Sequence, residues 1–297
     1  MSPRYPSLDI ASAWISLILP LPGHETSFNR WYSDDHFYAG GMCLPGIFAG
    51  RRWIAPQALR SLNYASDPAM AEGGSFLHLN LFSSHQSDEA YRALGQTLQV
   101  LGEEGRMYGD SIERRHLYSA ITPYEGVVYR DGEGFGEGPM DIHALDYPFQ
   151  GVVVEIVEAK SGEGRVELVR WLKGEFVPRR LEGSDVVMCL VFRHEDLPEG
   201  VRSPRLPGKC PTGDKRVVLL WFVEGDPKVC LERDFGGHVE EVKEKALGEV
   251  VFLGPFVPTV PGTNSVSDVE QLFAFPENCV RSKANDAASD LRIKVST

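Results

Sequence analysis

Apolar and polar positions in the first half of the chain switch between two periods. An apolar run at 13–21 (AWISLILPL) precedes a helix-period pattern over about 24–40, and alternating or apolar strand patterns follow at about 47–54 (IFAGRRWI) and 75–82 (SFLHLNLF). A second helical pattern covers about 88–107, with Ala90, Leu94, Leu98 and Leu101 spaced by three and four, and a last strand is expected at about 112–121 (IERRHLYSAI). The order is β-α-β-β-α-β, a ferredoxin-like unit.

The second half repeats this order. Strands are expected at 152–157, 186–192, 216–223 and 249–257, with helices at about 163–176 and 235–247. Arg30-Trp31 and Arg170-Trp171 occupy matching places in the first helix of each half, 140 positions apart (171 − 31). The reading is an internal duplication: residues 1–125 as one unit, 126–148 as a linker rich in Gly and acidic residues, 149–260 as a second and more apolar unit, and 261–297 as a polar tail. Residues 194–214, rich in Pro and Gly, read as a loop able to cover a pocket. Helices cover one face only of such a sheet. The expected fold is therefore α+β, with two tandem ferredoxin-like units packed sheet to sheet as an α+β barrel and a ligand cavity between the sheets.

Alternation then assigns faces. In SFLHLNLF the all-leucine side (Leu77, Leu79, Leu81) is expected to meet the helices, which sends His78 and Asn80 into the inter-sheet space. The same logic gives Arg114, His116 and Tyr118 on the last strand, and Trp14, Ser16 and Ile18 on the first, to that cavity. The matching strands of the second half are apolar on both sides apart from Glu155, and the position matching His36 is Phe176 (36 + 140). A single polar site in the first half is the expectation.

Bulk properties narrow the partner. A formal net charge of −12 argues against nucleic acid and against anionic membrane surfaces, which require clustered Lys and Arg. No run approaches the length of a membrane-spanning helix and no secretory signal is evident, so a cytoplasmic protein is expected. Cys43, Cys189, Cys210, Cys230 and Cys279 are widely spaced with no C-x-x-C pair, which reads as free thiols. The acidic Gly-rich stretch DGEGFGEGPM lacks the strand–turn–helix setting of a phosphate loop.

Candidate chemistry centres on His36, whose side chain titrates in the range useful for acid–base catalysis, with Asp34 or Asp35 to orient it. His78, His116, Asn80 and Tyr118 would join it, while Arg51 or Arg52 would hold a carboxylate or phenolate. Tyr32, Trp14 and Arg114 complete the expected substrate wall. No H-x-H or H-E-x-x-H spacing occurs, so no metal is expected.

The segment P-G-H-E-x-x-F-x-x-W-Y-x-x-D-H-F at 22–37, followed by L-P-G-I-F-A-G-R-R-W at 44–53, resembles the EthD-like branch of the dimeric α+β barrel superfamily. The resemblance implies a ligand between sheet and helices and a polar residue near the end of the first helix, where His36 stands. It also implies cofactor-free chemistry on aromatic or polyketide-like molecules: decarboxylation, cyclisation, isomerisation or oxygenation. Tandem relatives include haem enzymes, for which His238 is the candidate proximal ligand.

The leading expectation is a cofactor-independent lyase, a decarboxylase, or an isomerase acting on a hydrophobic aromatic or polyketide-like small molecule. The alternatives are a haem- or metal-dependent oxygenase or peroxidase, and a non-catalytic binding protein for a hydrophobic metabolite. A tandem chain can close its barrel alone, so a monomer or a homodimer is expected.

Overall fold

In a computed structural model, residues 8–83, 87–107, 114–130, 139–197, 209–261 and 263 are described. The first half runs β1 (Ile10–Pro20), α1 (Glu25–Trp31), β2 (Ile47–Ile54), a short α2 (Gln57–Arg60), β3 (Tyr64–Ala65), β4 (Phe76–Ser83), α3 (Ser87–Glu103) and β5 (Arg114–Tyr129). The second runs β6 (Gly151–Ala159), α4 (Gly164–Trp171), α5 (Val177–Leu181), β7 (Val186–Arg193), β8 (Arg216–Val223), α6 (Pro227–Asp234), α7 (His238–Glu244) and β9 (Gly248–Pro258).

The strands form one sheet in the order β2-β4-β1-β5-β7-β8-β6-β9, every neighbour antiparallel, with β3 added on β9. Trp53 and Ile54 of β2 pair with Pro258 and Val257 of β9, which closes the ring. Each half contributes four consecutive staves in the ferredoxin-like order, and closure leaves neither half with a free principal edge. The α+β barrel of two tandem units is therefore the fold.

Two details depart from the sequence reading. The linker expected from 126 begins inside a strand: β5 continues to Tyr129, and Tyr124–Tyr129 pair with β7. That long strand is the seam between the halves. The barrel interior is also not a polar cavity. Leu77, Leu79 and Leu81 point into it with Ile15, Leu17, Val152, Val154, Ile156, Leu190, Leu220 and Phe222, all buried. The all-leucine face thus meets the opposite wall of the barrel and not the helices, because closure creates an apolar core larger than either helix layer.

The helices lie outside the barrel, and each half has its own helix–sheet layer. In the first, Phe28, Trp31 and Tyr32 pack on Ile18, Ile54 and Phe76. In the second, Leu168, Trp171, Leu172 and Phe176 pack on Val153, Val157, Leu219 and Trp221. Both leading helices widen into a π-helical turn at the same point, Tyr32–His36 after α1 and Leu172–Phe176 after α4, again 140 residues apart (172 − 32). A shared irregularity of this kind is a closer match between the halves than the Arg-Trp pair alone. Most of the 194–214 loop and nearly all of the 261–297 tail lie outside the described residues.

Candidate functional site

His78 and Asn80 occupy the outer face of β4, beneath the π-helical turn of the first half. Ser16 pairs with His78, and Trp14 with Asn80, across the β1–β4 ladder. The His78 ring meets Trp14 (centroids 5.4 Å apart), Tyr32 (5.4 Å) and Phe37 (5.8 Å). His36 comes down from the helix, stacked on Trp31 at 4.4 Å and edge-on to Tyr32 at 5.2 Å. The cluster expected between the sheets therefore forms between sheet and helices, because the strand faces are assigned the other way round.

His116 joins this cluster and Tyr118 does not. Strict alternation puts both on one face, but β1 and β5 slip register between Leu17 and Ile18: Leu17 pairs with Tyr118 and Ile18 with His116. This bulge at Leu117 turns His116 outward and leaves Tyr118 inward, in the barrel core. Arg52 and Arg51 separate by ordinary alternation. Arg52 faces the layer, its guanidinium 4.7 Å from the Tyr32 ring centre and bonded to Ser33 Oγ. Arg51 faces the interior side over Trp53 and donates to the carbonyls of Leu145 and Tyr147 at 3.2 and 2.8 Å. Arg114 lies over Trp31 at 4.5 Å. Asp35 is bound outside the layer to Arg106, so it does not orient His36.

Two glycines bring helix and sheet this close. A side chain at Gly40 would meet the His36 ring at 2.8 Å, and one at Gly41 would meet Asn80 Nδ2 at 2.7 Å. Gly40 and Gly41 are carried by a second π-helical turn, Tyr38–Met42.

Burial is the main force on the site's electrostatics. It pushes the pKa of His36, His78 and His116 down to about 3, and the charges of Arg114 and Arg52 add to the shift at His36. All three imidazoles are neutral at physiological pH. Arg52 is lowered by the same burial to about 10 and stays charged, while the Tyr32 hydroxyl is pushed up by desolvation and remains protonated. Polar atoms in this layer lack protein partners: Nδ1 of His36, both ring nitrogens of His78, both amide atoms of Asn80 and Nδ1 of His116. Buried polar atoms are ordinarily satisfied, so such a concentration calls for water or a ligand.

The second-half layer leaves fewer polar atoms without a partner, Nδ1 of His238 and Nε1 of Trp171 among the described residues. Glu155 on β6 accepts from Trp221 Nε1 at 2.9 Å and lies 2.8 Å from His238 Nε2, with the Glu155 and His238 side chains fully buried. His238 is packed by the rings of Phe176, Phe235 and Trp221 at 4.8, 4.9 and 5.7 Å. A haem bound through His238 does not fit these residues: Nε2 is committed to Glu155 and packed rings hold the space a macrocycle needs. Among the described residues no group of three His, Cys, Asp or Glu is placed to hold a metal, and none of the described helices is long and apolar enough to cross a membrane. Cys43, Cys189, Cys210 and Cys230 are free thiols, and Cys279 lies outside the described residues.

No family model matches the chain, and no curated protein matches it. Solved structures of similar shape include an anthrone oxidase-like protein (TM-score 0.47, 12% identity, covering 86% of this chain and 95% of that one). A DypB variant from Rhodococcus jostii in complex with haem gives 0.46 and 12%, covering 90% and 97%. A haem-binding protein from Thermus thermophilus gives 0.38 and 11%, covering 86% and 94%. The EthD-like branch of the resemblance is not confirmed by these comparisons.

The leading expectation is corrected here. The neighbours carry oxidase, monooxygenase and haem-binding names, and the lyase, decarboxylase or isomerase reading is withdrawn. Of the groups assigned to the carboxylate and the oxyanion, Arg51 and Tyr118 lie on the opposite side of the sheet from His36 and His78, whereas Arg52 and Asn80 share their side.

Proposed function

We propose that the first-half layer binds a small, flat aromatic molecule through an acidic hydroxyl or enol oxygen and that the chain oxidises it with dioxygen. The observation that carries this reading is the set of unpartnered buried atoms on His36, His78, His116 and Asn80 inside a shell of aromatic rings. Trp14, Trp31, Tyr32 and Phe37 suit the faces and edges of a ring system. The imidazoles and the amide supply hydrogen bonds to its oxygens.

Charge selects the ionisation state of the ligand. Arg52 is buried and charged, and the three histidines resist taking up a further positive charge. A site of this kind stabilises a phenolate or enolate over the neutral hydroxyl. The resulting electron-rich ring anion is the form that reacts with dioxygen. In the balanced reaction a ring CH2 becomes C=O. One oxygen atom enters the product, and the other leaves as water with the two hydrogens.

Two measurements test the proposal. 4-Nitrophenol in mildly acidic buffer should bind with the yellow absorbance of its phenolate, and His78→Leu should abolish that shift. An oxygen electrode should record uptake with anthrone as test substrate. Colourless binding, or none, overturns the site assignment. Phenolate binding without oxygen uptake by any aromatic hydroxyl compound overturns the oxidation and leaves a binding protein.

A further inference from the structure

Tyr118 is a buried phenol with its own proton acceptor, on the far side of the sheet from the layer just described. Its hydroxyl lies 2.8 Å from Nδ1 of His194, and both side chains are buried. The other nitrogen of His194 lies 3.4 Å from Asp196 Oδ1, and Asp196 is about one-third exposed, at 32%. Asp196 is held in turn by the backbone N–H of Cys210 at 3.0 Å. With Nε2–H directed at the carboxylate, Nδ1 of His194 accepts from the phenol. These groups form a hydrogen-bonded line from the barrel core toward solvent.

Nothing in the proposed chemistry of the layer uses this line. Burial pushes the Tyr118 hydroxyl up, so tyrosinate is disfavoured, and it holds His194 below its ordinary value, so the imidazole is a neutral acceptor. A buried phenol of this kind resists losing a proton alone. Losing a proton and an electron together leaves no charge on the ring. The groups that face His194 and bear on its charge are Asp196, Arg216 and Glu195. The two carboxylates compensate an imidazolium better than the core does, and Arg216 is itself bound to Asp67 and Glu158.

A route toward the first-half layer is also present. Ser119, next to Tyr118 in the chain, accepts from Trp14 Nε1 at 3.2 Å and bonds Ser16 Oγ at 2.7 Å, and the Trp14 ring touches His78.

We propose that Tyr118, with His194 and Asp196, is a proton-coupled redox site that donates one electron across β5 and β1 to an oxidised aromatic group in the first-half layer. The Tyr118 O–H bond breaks. Its electron reduces the one-electron-oxidised ring, the ligand or Trp14, and its proton passes to His194 Nδ1. A neutral tyrosyl radical and an imidazolium facing Asp196 remain, and return of the electron and proton restores the pair. The identity of the ligand as acceptor rests on the function proposed above, whereas the Tyr118–His194 couple itself does not.

The test therefore uses the whole chain without ligand. Photo-oxidation with a ruthenium polypyridyl complex and persulfate should give a neutral tyrosyl radical, read by electron paramagnetic resonance. Its long-lived component should be lost in Tyr118→Phe. In His194→Gln, which removes the imidazole acceptor and keeps a polar group, the decay of that component should lose its solvent deuterium dependence. Unchanged signal and lifetime in Tyr118→Phe, with the variant folded by circular dichroism, overturn the proposal. So does a His194→Gln radical with the parent's isotope dependence. Both outcomes are independent of nitrophenol binding.

Discussion

The two helix–sheet layers of the barrel have the same scaffold and opposite treatment of buried polar groups. Each has a leading helix with a tryptophan, a π-helical turn ending 140 positions apart at His36 and Phe176, and the ring of that last residue packed against the tryptophan. In the second half fewer polar atoms are left over: Glu155 is met by His238 and Trp221, and among the described residues of that layer His238 Nδ1 and Trp171 Nε1 lack a partner. In the first, His36, His78, His116 and Asn80 crowd together with unbonded atoms. Satisfied buried polar groups fix a structure, and unsatisfied ones cost stability unless something else meets them. That difference is the ground on which a ligand is proposed for the first layer and not for the second.

Acid should expose the comparison most strongly. The three histidines pushed down to about 3 lie in the first half, whereas in the unfolded chain they take up protons near pH 6.5; His194 in the second half is also lowered. Between those values the unfolded state binds more protons, so stability falls as pH falls. Their contribution is fully present above pH 6.5, and the slope reaches up to about 4 kcal/mol per pH unit for three protons. Urea titrations across this window measure it. A flat profile would show the layer wet and the histidines solvated.

Breaking the second layer is the next largest effect. Glu155→Ala leaves His238 and Trp221 buried without their shared partner and should cost about 1–3 kcal/mol per orphaned group in chemical denaturation. Pairing Glu155→Leu with His238→Phe should recover most of that loss, since a well-packed apolar replacement removes both hydrogen-bonding partners together. A loss in the double variant as large as in the single would mean that packing, and not the pair, holds the layer.

The smallest effect has the opposite sign. His36→Phe gives the first layer the residue of the second and removes one orphaned nitrogen, so stability should hold or rise by about 1–2 kcal/mol. The nitrophenol shift should fall in the same variant. A destabilisation approaching that of Glu155→Ala would make His36 a structural partner and erase the contrast between the halves.

Much of this arrangement was legible in the sequence because it rests on periodicity and repetition. The strands, the two leading helices and the single polar half follow from alternation, from the Arg-Trp pairs and from the matched His36 and Phe176. What failed did so for identifiable reasons. The face of β4 was misread because a closed barrel has two apolar surfaces to satisfy, and leucines serve either. Tyr118 was placed with His116 because a bulge at Leu117 leaves no mark in a pattern read by twos. Arg51 and Arg52 could be separated by alternation but not assigned. None of the three π-helical turns follows from the sequence pattern, although Gly40 and Gly41 mark the place where the turn Tyr38–Met42 approaches Asn80. The Tyr118–His194 contact joins residues 76 positions apart, and no local pattern reports it.

By itself the sequence determined two βαββαβ units and a polar first half, since hydrophobic period and residue type are local properties that survive in any fold with those elements. Tertiary structure alone decided which side of the sheet is core, and therefore where the histidines meet. Closing eight strands into a ring makes the shared interior the largest apolar volume available, and burial of apolar area is the dominant driving force. The leucines take that interior, and His36, His78, His116 and Asn80 are left facing the helices.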